Sequence, residues 1–161
     1  MEHVQIDTDD LSGAQIRRFL AGHLSDMRAQ GPPESTHALD LDGLRGPGVT
    51  VWAARDDDGT LLGCGALSEL AAGSVPEHPA AEIKSMRTAE RARGRGVGAA
   101  VLTRLLDAAR GRGHRAVYLE TGAGEYWAPA RRLYERFGFT VCPPFADYPV
   151  DPLSVHYRRL M

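Results

Sequence analysis

Two cysteines, no long apolar run and no excess of either charge sign exclude several classes of protein before any motif is read. Cys64 and Cys142 make no metal-ligand spacing, and both are expected to be reduced and buried. No apolar stretch approaches the roughly 20 residues that span a bilayer, and no charged, then apolar leader follows Met1-Glu2-His3. A cytoplasmic, soluble chain without a membrane partner is expected. A net charge of -2, counting His as neutral, exerts no global pull on nucleic acid. The run Asp56-Asp57-Asp58 lacks the spaced acids and distant glutamate of a calcium loop, so no metal is expected. What remains, 43% hydrophobic and 25% charged in 161 residues, suits one globular domain over 1–161 and is short for two.

The most informative stretch is Arg91-Ala92-Arg93-Gly94-Arg95-Gly96-Val97-Gly98-Ala99-Ala100. Val97, Val101, Leu102, Leu105 and Leu106 fall on one apolar helical stripe, so a glycine-rich loop opens a helix. Glycines let backbone approach a ligand closely, and the first helical N–H groups have no intrahelical acceptor. The helix dipole and the cations Arg91, Arg93 and Arg95 favour an anion there, and pyrophosphate is the natural guest. Lysine followed by Ser or Thr is missing, which excludes a P-loop. Gly94-x-Gly96 followed by Ala99, past mid-chain, also departs from the dinucleotide fingerprint.

In chain order, Val4 and Ile6 mark a short strand. Thr8-Asp9-Asp10 offers N-caps for a helix carrying Leu11, Ile16, Phe19 and Leu20, which ends before Gly31-Pro32-Pro33. Residues 31–48 read as a long loop, a length that is usually functional or disordered. Val49 to Arg55 and Thr60 to Leu67 read as a hairpin about Asp56–Gly59. In Glu82-Ile83-Lys84-Ser85-Met86-Arg87-Thr88, period two puts Glu82, Lys84, Met86 and Thr88 on one face and Ile83, Ser85 and Arg87 on the other. Charges on both faces of a central strand are costly without partners and mark a site. A helix to Gly111, then Ala116 to Thr121, completes a parallel β-α-β unit. Pro129 to Phe137 is a further helix. Phe139 to Cys142 and Ser154 to Leu160 are a closing strand pair, joined by a connection stiffened by four prolines.

Arg93-x-x-Gly96-x-Gly98 resembles the Arg/Gln-x-x-Gly-x-Gly/Ala loop of the GNAT acyltransferases, and Leu133-Tyr134-Glu135-Arg136-Phe137-Gly138-Phe139 resembles their Leu-Tyr-x-x-x-Gly-Phe segment. Pro32-Pro33-Glu34-Ser35, Glu82 to Thr88, Leu119-Glu120-Thr121-Gly122 and Pro144-Phe145-x-x-Tyr148 look like a small, single-domain bacterial branch of that superfamily. The resemblance implies an α/β fold: a mixed sheet of six or seven strands, splayed between strands 4 and 5, with helices on both faces.

It also implies acetyl-CoA as cofactor, held by Met86, Arg87 and Thr88 at the strand end and by Arg93, Gly94, Arg95, Gly96, Val97, Gly98 and Ala99 in the loop. Tyr134 is the implied proton donor to the departing thiolate, a phenol having a pKa near 10; otherwise it is a core aromatic that orders the sulfur. Glu82 is placed as general base or as the ion-pair partner of Lys84. Glu120 is the second candidate base, or a partner for Arg87 or another arginine. Glu34, Ser35 and His37 are implied acceptor contacts, and Phe145 and Tyr148 a second pocket wall or an edge-covering loop. Many relatives carry asparagine where this chain has Trp127, so that contact to pantetheine is lost or replaced; with Tyr126, Trp127 can form a lid.

The expected function is acetyl transfer to the primary amine of a small molecule by direct attack. Arg45, Lys84 and Arg87 hint at a carboxylate on that amine. The alternatives are a protein lysine or N-terminal acetyltransferase, which needs an open groove, and a non-catalytic acyl-CoA sensor. Homodimers are common in the superfamily, although no stretch here specifies one.

Overall fold

The computed structural model describes residues 3–33 and 39–161. In chain order these form β1 (Gln5–Asp9), α1 (Ala14–Ala29), α2 (Leu41–Leu44), β2 (Val49–Arg55), β3 (Leu61–Glu69), β4 (Ala80–Thr88), α3 (Val97–Gly111), β5 (Ala116–Gly122), α4 (Ala128–Arg136), β6 (Thr140–Cys142) and β7 (Ser154–Leu160). The seven strands make one mixed sheet in the order β1-β2-β3-β4-β5-β7-β6. Every neighbouring pair is antiparallel except β4 and β5. This is the α/β architecture expected from the sequence.

Strand β3 is buried from Leu61 to Leu67, so both faces of the sheet need cover. Ile16 and Leu20 of α1 and Leu44 of α2 pack on Val51, Ala53, Cys64 and Ala66. On the other face α3 lays Val97, Val101, Leu102, Leu105 and Leu106 against Trp52, Ala54, Leu62, Ile83 and Leu119. These five α3 side chains are the stripe that the 3.6-residue period singles out. Complete burial also pushes the Cys64 thiol up to about 12, which leaves it an inert core residue.

Three local expectations are corrected. Asp9 and Asp10 do not cap α1: their carboxylates accept from the N–H of Leu11 at 2.7 Å and of Ser12 at 2.9 Å, closing turns ahead of it. The helix starts after Gly13 and runs unbroken through His23. The segment read as a featureless loop contains α2, whose N-cap Asp40 accepts from Gly43 N–H at 2.8 Å.

The third correction matters most for the site. The register of β3 and β4 shifts between Cys64 and Ala66, and Ser85 takes φ 55, a left-handed conformation uncommon for a residue with a side chain. The bulge resets the alternation. Ile83 and Met86 both pack toward α3, whereas Arg87 reaches Phe19 and Asp26 of α1. Gly65 makes room for the bulge, because a Cβ there would sit 2.6 Å from Met86 Sδ and 2.9 Å from Val101 Cγ1. Gly65→Ala is therefore expected to lower stability by about 1–3 kcal/mol through overpacking, read as a fall in the thermal unfolding midpoint; an unchanged midpoint would show that the core has slack there.

Strand β4 pairs with β5 only from Ala80↔Ala116 to Ile83↔Leu119. Both strands run on, to Thr88 and Gly122, so the sheet opens between them.

Candidate active site

A cavity of about 560 Å³ fills this opening. One end is the start of α3. Gly94 and Gly96 take φ 76 and 80, and Gly96 is the left-handed N-cap residue. A side chain would strain the backbone at both positions. Val97, Gly98 and Ala99 then present N–H groups that have no acceptor within the helix, since the first α3 bond runs from Ala100 N–H to Gly96 O at 3.0 Å. Arg93 lines the cavity here, and so does Arg136 of α4, which the sequence reading had not picked out.

Met86, Arg87 and Thr88 line the middle, where β4 no longer has β5 beside it. Tyr134 comes from α4 and is 6% exposed. Its ring packs edge-on to Phe139 at 5.9 Å and beside Tyr157 at 6.4 Å. Burial raises the pKa of its phenol, and the charge of Glu120 raises it further, so the hydroxyl stays protonated across the working pH range.

Glu120 lies at the end of β5, accepting from Ser154 Oγ at 2.9 Å. Burial is the main cause that lifts its carboxyl to about 7; the Ser154 bond and Lys84 pull down, and Glu82 and Asp151 push up. Glu82 is buried and tied: Tyr148 Oη donates to Glu82 Oε2, while Lys84 Nζ donates to Tyr148 Oη at 2.8 Å and lies 3.3 Å from Glu82 Oε2. The Glu82–Lys84 ion pair anticipated as an alternative thus exists, with Tyr148 in it. Glu120 instead pairs with Ser154, and Arg87 holds Asp26 at 2.8 Å.

Glu82, Lys84, Glu120, Tyr134 and Tyr148 all line the same cavity as the glycine loop. Two expected residues do not. Arg95 points along the surface and donates to Arg91 O at 3.5 Å. Phe145 is buried under the site, its ring 4.7 Å from Tyr118 and 5.0 Å from Tyr148, so it supports the wall instead of forming it. Glu34, Ser35 and His37 fall outside the described residues.

The sequence profile of the Acetyltransferase (GNAT) family matches residues 16–139. The chain belongs to this family. It is 46% identical over 157 residues to YsnE of Bacillus subtilis (strain 168), an uncharacterised N-acetyltransferase, with 98% of each chain covered. It is 40% identical over 145 residues to an IAA acetyltransferase of Azospirillum brasilense, covering 90% of this chain and 88% of that one. The fold is similar to that of Arabidopsis thaliana NAA60 in complex with acetyl-CoA, with a TM-score of 0.71 over 99% of both chains at 18% identity.

In this GNAT chain α1 supplies a wall that the sequence reading missed. His23 and Met27 line the cavity. Ile16, Leu20, His23 and Met27 follow one another at helical spacing, so the period alone could have turned His23 inward. Burial, and then the Arg87 charge, drives the His23 pKa down to about 4, against a smaller upward pull from Asp26; the imidazole is neutral at working pH. Ser85 Oγ and Arg87 Nε are buried without hydrogen-bond partners. Trp127 lies flat on Gly122, where a Cβ would come within 2.1 Å of Trp127 Cε3, and its ring meets Tyr126 edge-on at 5.0 Å. Both aromatics line the cavity. Among the described residues no helix is long and apolar enough to cross a membrane.

Proposed function

We propose that the protein is an acetyl-CoA-dependent N-acetyltransferase acting, as one domain over 1–161, on the primary amine of a small molecule. What supports this reading is the convergence of the open end of β4, the start of α3, Glu120 and Tyr134 on one cavity. The site suits the cofactor. The left-handed glycines leave the loop without Cβ atoms toward a pyrophosphate, Arg93 and Arg136 add charge, and the unpaired edge of β4 faces the gap.

Acetyl-CoA would supply an activated acyl carbon and a thiol leaving group. For the chain's own part, Glu120 is the better base. Its pKa near 7 leaves it about half ionised at neutral pH and so able to take a proton from an ammonium or from the attacking amine, whereas Glu82 is committed to Tyr148 and Lys84. Tyr134 holds a proton at its phenol oxygen for the departing sulfur. Loop and strand hold the reactants in register, so orientation supplies much of the rate. A carboxylate on the acceptor gains no support, because Lys84 and Arg87 already hold acids and Arg45 donates to Leu11 O at 3.0 Å.

Thiol release from acetyl-CoA against free amino acids, alkylamines, polyamines, aminoglycosides and lysine peptides tests the reading. Turnover confined to small amines is expected. Turnover confined to lysine peptides would move the assignment to a protein acetyltransferase, and tight cofactor binding with no turnover would favour a sensor.

A further inference from the structure

A second cavity, of about 110 Å³, abuts the first. The two share Met27, Glu120 and Trp127, so Glu120 stands in the partition between them. Leu153 of the β6–β7 connection, Gln30 and Gly31 just after α1, and Gly122 and Gly124 also line the small cavity. Its walls are set by contacts that do not depend on a ligand. Trp127 is pressed on Gly122. Leu153 is held by Ala123 N–H donating to Leu153 O at 3.0 Å and by its own N–H donating to Asp151 Oδ1 at 2.9 Å.

We propose that this small cavity is the acceptor's side-chain subsite and that it selects primary amines on a short, uncharged apolar substituent. The inference rests on the acetyltransferase reading above. With a nitrogen at Glu120 facing the large cavity, the substituent enters the small one. At about 30 Å³ for each water-sized group, 110 Å³ accepts three or four carbons. Met27, Trp127 and Leu153 are apolar, and Glu120 is the one ionisable residue among the described walls. Gln30 is the one neutral polar side chain there, so a carboxylate on the substituent would meet no cation and a second ammonium no acid other than the Glu120 that holds the reacting nitrogen, and either would lose hydration without an ionic partner of its own. Each buried methylene is worth about 0.8 kcal/mol, close to fourfold in kcat/KM. Affinity should therefore climb steeply with chain length and then fall once the cavity is full.

The test uses linear amines from ethylamine to octylamine, with putrescine and γ-aminobutyrate as charged analogues of butylamine. Two readouts are taken: thiol release, and shifts of the Leu153 and Met27 methyl NMR signals on titration with CoA present. The expected results are a maximum kcat/KM at three or four carbons, at least tenfold lower values for the charged analogues, and methyl shifts with butylamine alone. Leu153→Ala, at a half-exposed position, should move the maximum to longer chains with acetyl-CoA affinity unchanged. A flat length profile, equal use of putrescine, or an optimum unmoved in Leu153→Ala would overturn the subsite while leaving acetyl transfer standing. Methyl shifts with butylamine but no thiol release from any amine would keep the subsite and overturn the acetyltransferase reading instead.

Discussion

Tyr134→Phe is expected to lower kcat by about 10²–10⁴-fold, the usual span for losing a positioned proton donor, with acetyl-CoA affinity unchanged. The substitution removes one oxygen and keeps the ring that packs on Phe139 and Tyr157. Among the described residues that hydroxyl makes no hydrogen bond that its loss would break, so the unfolding midpoint should hold. Burial and Glu120 both raise the phenol pKa, which makes Tyr134 a weak acid in the resting site. In the proposed reaction its proton would be useful as negative charge develops on the departing sulfur, an interaction stronger in the transition state than in the ground state. A kcat decrease without a change in cofactor dissociation constant, measured by calorimetry, is the signature. A rate equal to that of the parent protein would assign Tyr134 to packing alone.

Glu120→Gln should have a comparable effect on turnover together with an opposite effect on stability. The free enzyme's kcat/KM is expected to rise with pH and level off above about 7, where Glu120 has lost its proton. That limb should vanish in the variant. For stability, the folded-state pKa is raised from the ordinary carboxyl value of 4.5 to about 7, so the folded protein binds a proton more tightly than the unfolded chain does. The stabilising contribution is full below about 4.5 and is lost as pH rises through 7. Above that, an ionised, largely buried carboxylate opposes folding by an amount on the order of a few kcal/mol. Glu120→Gln should therefore unfold at a higher temperature than the parent at pH 8 and at nearly the same temperature at pH 4. A structural carboxylate would behave the other way, its removal destabilising at pH 8. Paired unfolding curves at the two pH values decide between the roles.

Much of the fold was legible because it is local. The α3 stripe follows from a 3.6-residue period, and β2 and β7 from runs of strand-forming residues between turn signals, with the bounds of both strands as expected. The glycine loop that opens α3 was equally legible, since glycines at φ 76 and 80 ahead of a helix are written in Gly94 and Gly96. The β4 alternation failed at Ser85 for a reason that no window of β4 contains. The bulge needs a residue without a side chain across the strand, Gly65, and a helix pressing from above, α3, and both lie outside β4 in the chain. The same holds for Phe145: the sequence left a pocket wall and an edge-covering loop both open, and whether the ring faces a cavity or Tyr118 depends on how the proline-rich connection crosses the sheet.

What the sequence determined by itself was therefore the family, the order of the strands and long helices, and the candidate residues for binding an anion or moving a proton, all carried by short-range pattern and residue chemistry. The tertiary structure decided which partners each carboxylate has. Tyr148 reaches Glu82 across 66 positions and Ser154 reaches Glu120 across 34. These pairings, with the burial that sets the Glu120 pKa, exist only once the sheet opens between β4 and β5, because charge interactions and desolvation depend on distance in space and not on separation along the chain.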